Sequence, residues 1–162
     1  MNTLSKAFGK KFDQNKDLVR TRSFEFGGHT FKVKVPLTSE YEAMMIKINQ
    51  ADEEKVTKYY NDLTKTFFEN KDILDPELGV SFKENDVEIK GRSLKETAKT
   101  KVTTENQIVA MVQMLVPEEQ DYDMSTITYE MVEELFPFSV QMELLQRISE
   151  VISPSYKEAK GK

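Results

Sequence analysis

Cysteine and tryptophan are absent from the 162 residues, and histidine occurs once. Without thiols the chain can form no disulfide, no thiolate zinc site and no cysteine nucleophile, which fits a reducing cytoplasm. No apolar run approaches the roughly 18 residues that a membrane span requires, and no hydrophobic signal segment opens the chain. A cytoplasmic protein with no membrane partner is expected.

Chemistry is scarce as well. His29 follows Gly27-Gly28 with no serine or carboxylate in sequence reach, so it is expected to pack beside Phe26 rather than act as a general base. That glycine pair precedes a strand and not a helix, which rules out the usual phosphate loop. Adjacent acids such as Glu53-Glu54 and Glu133-Glu134 point about 100° apart on a helix and read as solvated faces. The acidic stretch 118–123 lacks the alternating oxygens and the glycine of a calcium loop. No catalytic residue, cofactor or metal site is nominated, and an enzyme is not expected.

What is present is pattern. Phe24 and Phe26, then Phe31, Val33 and Val35, alternate with polar residues as half-buried strands do. A two-residue Gly27-Gly28 turn of the primed type would set Phe26 opposite His29, Phe24 opposite Phe31 and Ser23 opposite Lys32. The large apolar groups then share one face, and burying each Phe is worth roughly 2–3 kcal/mol. An isolated hairpin is marginal in water, so the face needs a cover. The next element is the expected one: Ser39 and Glu42 form a capping box ahead of Tyr41, Met44, Met45 and Ile48 at helical spacing.

A second amphipathic helix is predicted over 52–69, capped by Asp52 and carrying Val56, Tyr59, Tyr60, Leu63 and Phe67; one long helix bent near Gln50 is the alternative. A second hairpin is predicted with Asn85-Asp86 at its turn, Phe82 opposite Ile89 and Lys83 across from Glu88. Two further capping boxes, Ser93 with Glu96 and Thr104 with Gln107, predict a short helix and then a strong one bearing Ile108, Val109, Met111, Val112, Leu115 and Val116, ended by Pro117. Beyond the acidic loop, Tyr129, Met131, Val132 and Leu135 predict a short helix, and 139–152 a longer one with Leu144, Leu145, Ile148, Val151 and Ile152 inward. Pro137 either opens the longer helix or kinks a continuous one.

The predicted fold is α+β and predominantly helical, an N-terminal β-hairpin and a second hairpin packed on several amphipathic helices. Its expected organisation is a flexible basic segment over 1–21, a single domain over 22–153 and a disordered polar tail over 154–162. The net charge is −5, and it is unevenly spread. Up to Lys34 there are eight Lys or Arg against three acids. A nucleic-acid-binding arm is disfavoured because Asp13 and Asp17 interrupt the lysines and aromatics are sparse. The eight methionines offer soft, adaptable apolar surface for a partner. Met44, Met45, Met111, Met114 and Met124 are the candidate partner-binding residues, with Met114 and Met124 the more exposed.

Two stretches together resemble a known family. The run TRSFEFGGHTFKVKVPLTSEYEAMMIKI, residues 21–48, and the run EMVEELFPFSVQMELLQRISEVI, residues 130–152, are similar in pattern and order to the tail assembly chaperones of long-tailed, non-contractile, lambda-like bacteriophages. The two runs span 51 of the 162 residues and carry no catalytic signature. It implies a protein of the host cytoplasm that coats the tape measure protein, keeps it soluble, recruits tail tube protein and is absent from the mature virion. Self-association stays open. In such families a longer form is often made by ribosomal frameshifting, and Gly161-Lys162 are compatible with slippery codons. The chain departs from the lambda pattern in its second hairpin and in lacking a long Pro- and Ala-rich tail. The alternative reading is a small structural tail or neck component retained in the virion.

Overall fold

The computed structural model describes residues 3–153, so the tail expected over 154–162 lies outside the described residues. In chain order the elements are α1 (Thr3–Ala7), α2 (Lys10–Arg20), β1 (Thr21–Phe26), β2 (His29–Lys34), α3 (Thr38–Asn49), α4 (Glu53–Glu69), β3 (Val80–Phe82), β4 (Val87–Ile89), β5 (Arg92–Ser93), α5 (Leu94–Gln113), α6 (Tyr129–Leu135) and α7 (Phe138–Ile152). Seven helices and two small antiparallel sheets among the described residues make an α+β, predominantly helical fold, the predicted class.

The chain divides into two compact units, Met45–Gln107 and the described residues on either side of it. Each has buried residues of its own. In the flanking unit Phe24, Val33, Ile108, Val132, Leu144 and Ile148 belong to one core cluster; within Met45–Gln107 the buried positions include Val87, Leu94, Ala98 and Val102.

In the flanking unit the β1–β2 ribbon has the predicted register, Phe24↔Phe31, Phe26↔His29 and Ser23↔Lys32. Its turn is of the primed kind, with Gly27 at φ 59° and Gly28 at φ 79°, a conformation that favours residues lacking a Cβ. The cover is not the predicted one. α7 is the helix that packs along both β1 and β2, and it buries Leu144, Leu145 and Ile148 in the core that holds Phe24 and Val33. From α3 this core takes Met44, half-buried, whereas Tyr41 is 45% exposed. Arg22 fastens the arrangement from the ribbon side, donating to the Val151 carbonyl at 2.6 Å, where the C-terminal end of α7 favours a cation.

A third strand-like contact was not foreseen. Leu115 bridges to Val33 in antiparallel sense; Lys34 N–H donates to Met114 O at 3.0 Å and Val116 N–H to Lys32 O at 2.7 Å. α5 therefore ends at Gln113, ahead of Pro117, because the residues after it enter the ribbon.

The N-terminal segment, expected to be flexible, forms α1 and α2 through residue 20. Asp13 accepts from the Ser5 hydroxyl, and Asp17 pairs with Lys34 at 3.2 Å. Arg20 donates through Nε to Val35 O at 2.9 Å and through Nη2 to Glu40 at 2.6 Å. α3 also starts two residues earlier than the predicted box implies, at Thr38: Glu40, not Glu42, reaches back to an amide, accepting from that of Leu37 at 3.3 Å. Burial pushes the Glu40 carboxyl up, but Arg20 and the Leu37 amide outweigh it and hold it below its ordinary value.

Within Met45–Gln107, α4 begins as predicted, with Asp52 accepting from the amides of Glu54 at 2.9 Å and Lys55 at 3.4 Å, and the continuous-helix alternative is excluded by the break at Gln50. The second hairpin exists, but its register is corrected to Val80↔Ile89 and Phe82↔Val87. The turn falls at Glu84-Asn85 because Asp86 is occupied elsewhere. Its carboxylate accepts from Val87 N at 2.8 Å and Lys95 N at 3.1 Å, and from the Ser93 hydroxyl. The shift by two keeps every side chain on its predicted face, so Lys83 and Glu88 still meet, now diagonally, at 3.8 Å.

A further turn at Lys90-Gly91, both at positive φ, adds β5 beside β4. Ser93 caps α5 as predicted, accepting from Glu96 N at 3.1 Å. The Thr104–Gln107 box opens nothing, since α5 runs unbroken from Leu94 to Gln113.

Candidate functional site

Phe136-Pro137 separates α6 from α7 and turns the chain between them. Thr128 caps α6, accepting from Met131 N at 3.4 Å, and Gln113 holds the preceding loop by donating to the carbonyls of Ser125 and Ile127, each at 3.3 Å. Pro137 opens α7, where a missing N–H and a fixed φ cost nothing. Gln141, only 1% exposed, pins the corner from within. Its amide nitrogen donates to Phe136 O at 2.8 Å, and its amide oxygen accepts from the Tyr129 hydroxyl at 3.2 Å. Gln141→Leu is expected to destabilise the flanking unit by about 1–3 kcal/mol through the unmet Phe136 carbonyl, measured by urea denaturation.

With Val132, Leu144, Leu145 and Ile148 buried, four large apolar residues of α6 and α7 stay exposed. Leu135 is 74% exposed, Phe138 57%, Met142 40% and Met131 36%. Met131 and Leu135 are four residues apart on α6, and Phe138 and Met142 four apart on α7, so each pair shares a helix face. Leu135 and Phe138 are three positions apart across the corner, at most about 11 Å of chain. Single exposed apolar residues are ordinary, but four large ones within twelve residues of chain are a candidate interaction surface. α6 is too short to bury more than the Val132 side.

The predicted partner-binding methionines are placed differently from these. Met111 is buried; Met44, Met114 and Met124 are half-buried against the same core, so Met114 and Met124 are not the more exposed pair. Met45 is exposed. His29 packs edge-on to Phe31 with ring centroids 4.6 Å apart, not chiefly to Phe26, and its Nε2 is 3.7 Å from Glu118 on the surface.

Within Met45–Gln107, an open groove of about 530 Å³ lies between the start of α4 and the first turns of α5, with Glu53 and Glu96 alongside Lys95 and Lys99. Nearby in sequence, Tyr59 donates to the buried Glu105 carboxylate at 2.7 Å while Lys101 stands over its ring at 4.0 Å, tying α4 to α5. The second Glu105 oxygen has no hydrogen-bond partner among the described residues. No three His, Asp or Glu side chains among the described residues are grouped to hold a metal ion, and no described helix is long and apolar enough to cross a membrane.

No family model, no curated protein and no solved structure matches this chain.

Proposed function

We propose that the protein is a non-enzymatic tail assembly chaperone of a long-tailed bacteriophage, acting in the host cytoplasm on the tape measure protein and the tail tube protein. The observation that carries the reading is the exposed apolar elbow of Met131, Leu135, Phe138 and Met142. It falls inside residues 130–152, one of the two stretches that resemble this family. A protein that keeps an aggregation-prone helical partner soluble needs such a surface of its own, and soft methionine side chains at its edges adapt to varied contours.

The test is co-expression with a tape measure protein from the same genome. The expected result is soluble, co-purifying tape measure protein that is insoluble when expressed alone. Mass spectrometry of purified virions supplies the second arm: stoichiometric copies of this chain in finished particles would replace the chaperone by a structural tail or neck component.

A further inference from the structure

The β1–β2 ribbon is closed along one edge and bare along the other. Lys34 N–H donates to Met114 O, and Lys32 O accepts from Val116 N–H, so the backbone groups of Lys32 and Lys34 point away from β1. Their partners across the ribbon, Ser23 and Thr21, therefore point theirs away from β2, and Glu25 follows because the direction alternates along a strand. Thr21 N–H is already spent on Leu18 O. The backbone N–H and C=O groups of Ser23 and Glu25 have no hydrogen-bond partner among the described residues, and both residues are exposed. α7 covers the face on which Phe24 is buried and not this edge. Edges that stay single are commonly blunted by Pro, Lys or a bulge. β1 has none of these: its sequence is TRSFEF, and its six residues pair with β2 without interruption.

We propose that β1 is a dimerisation edge whose occupant is a second copy of this chain, the two β1 strands pairing antiparallel about a two-fold axis at Phe24. Ser23 of each copy then lies opposite Glu25 of the other, and each such pair exchanges two backbone hydrogen bonds. The neighbouring registers are worse. An axis at Glu25 would set glutamate against glutamate, and an axis at Ser23 would set Glu25 against Thr21, whose N–H is spent.

Charge selects the same partner. Lys32 and Glu25 are exposed, and neither is in an ion pair among the described residues. In the dimer, Ser23 separates Lys32 of its own chain from Glu25 of the second copy. That gap is two strand spacings, about 10 Å, which a lysine and a glutamate side chain can span across a serine. The two-fold axis makes the contact twice, and two-fold dimers are the commonest closed assembly. An unrelated strand could use the same backbone groups, but this chain itself supplies the matching charge. The pairing goes beyond the chaperone reading and does not depend on it.

The test is sedimentation of the full chain over a range of concentrations, with circular dichroism to confirm that each variant is folded. A concentration-dependent dimer is expected. Ser23→Pro removes an N–H that serves no ladder bond within the chain and should leave a folded monomer. Glu25→Lys and Lys32→Glu should each weaken the dimer about tenfold, since each turns two attractions into two repulsions. An equimolar mixture of these two variants should recover wild-type affinity, because every contact in the heterodimer again joins opposite charges. Should Ser23→Pro fail to fold, the mixture carries the test. Wild-type chain that stays monomeric up to about 1 mM would overturn the proposal and leave the edge to an extended segment of another protein. A dimer unchanged by folded Ser23→Pro, or a mixture no tighter than its two components, would place the contact elsewhere and overturn it too.

Discussion

Ile148→Ala is expected to destabilise the flanking unit by about 2–5 kcal/mol, the range for emptying a filled site in a packed core. Ile148 has no exposed surface and sits on the helix that lies along both ribbon strands. Its neighbours in the cluster come from β1, β2, α5, α6 and α7, so the cavity cannot close by the shift of one element. Tyr41→Ala on α3 should cost less than about 1 kcal/mol, as expected for a surface position. Urea denaturation of both variants is the measurement. A large loss for Tyr41 with a small one for Ile148 would restore α3 as the cover of the ribbon and refute the packing described above.

Asp86→Ala is expected to cost about 2–4 kcal/mol, because one substitution removes three hydrogen bonds to a charged acceptor. It frees the amide of Val87 at the start of β4, the amide of Lys95 in the first turn of α5, and the hydroxyl of Ser93. The effect has a pH signature. Burial raises the Asp86 carboxyl, but the Ser93 hydroxyl and the Lys95 and Val87 amides outweigh it, so the folded value lies below the ordinary 3.8. The stabilisation is therefore complete above the ordinary value and is lost as pH falls through the folded one. Asp86→Asn should remove that part of the acid dependence while keeping one acceptor oxygen. A wild-type stability that is flat below pH ~4 would contradict the assignment.

What could be read from sequence was local. Gly27-Gly28 and the alternation around it fix the first register because turn and strands are contiguous, and Asp52 caps α4 for the same reason. The partner of a face is a different matter. The Tyr41–Ile48 stripe and the Leu144–Ile152 stripe are equally good covers for Phe24, and sequence proximity favoured the wrong one; Arg22 and Val151, which meet, are 129 positions apart.

Asp86 misled for a related reason. Its turn chemistry was plain, but the amides that claim it lie on β4 and α5. The Thr104–Gln107 box shows that a capping pattern can occur inside a helix, where packing keeps the backbone wound. The elbow was half legible: Phe136-Pro137 marked a corner, but the short helical pattern ahead of it does not say which of Met131, Val132 and Leu135 face solvent.

The Leu115 bridge has a consequence for the chain while it is being made. Once Met114 and Val116 occupy the open side of β2, that side can no longer recruit a stranger's strand, the usual seed of sticky sheets. During synthesis the hairpin leaves the ribosome some eighty residues before its protector, and contacts so far apart in sequence close late. The nascent chain therefore spends that interval with an open flank, and mutations that delay α5 should turn up first as inclusion bodies.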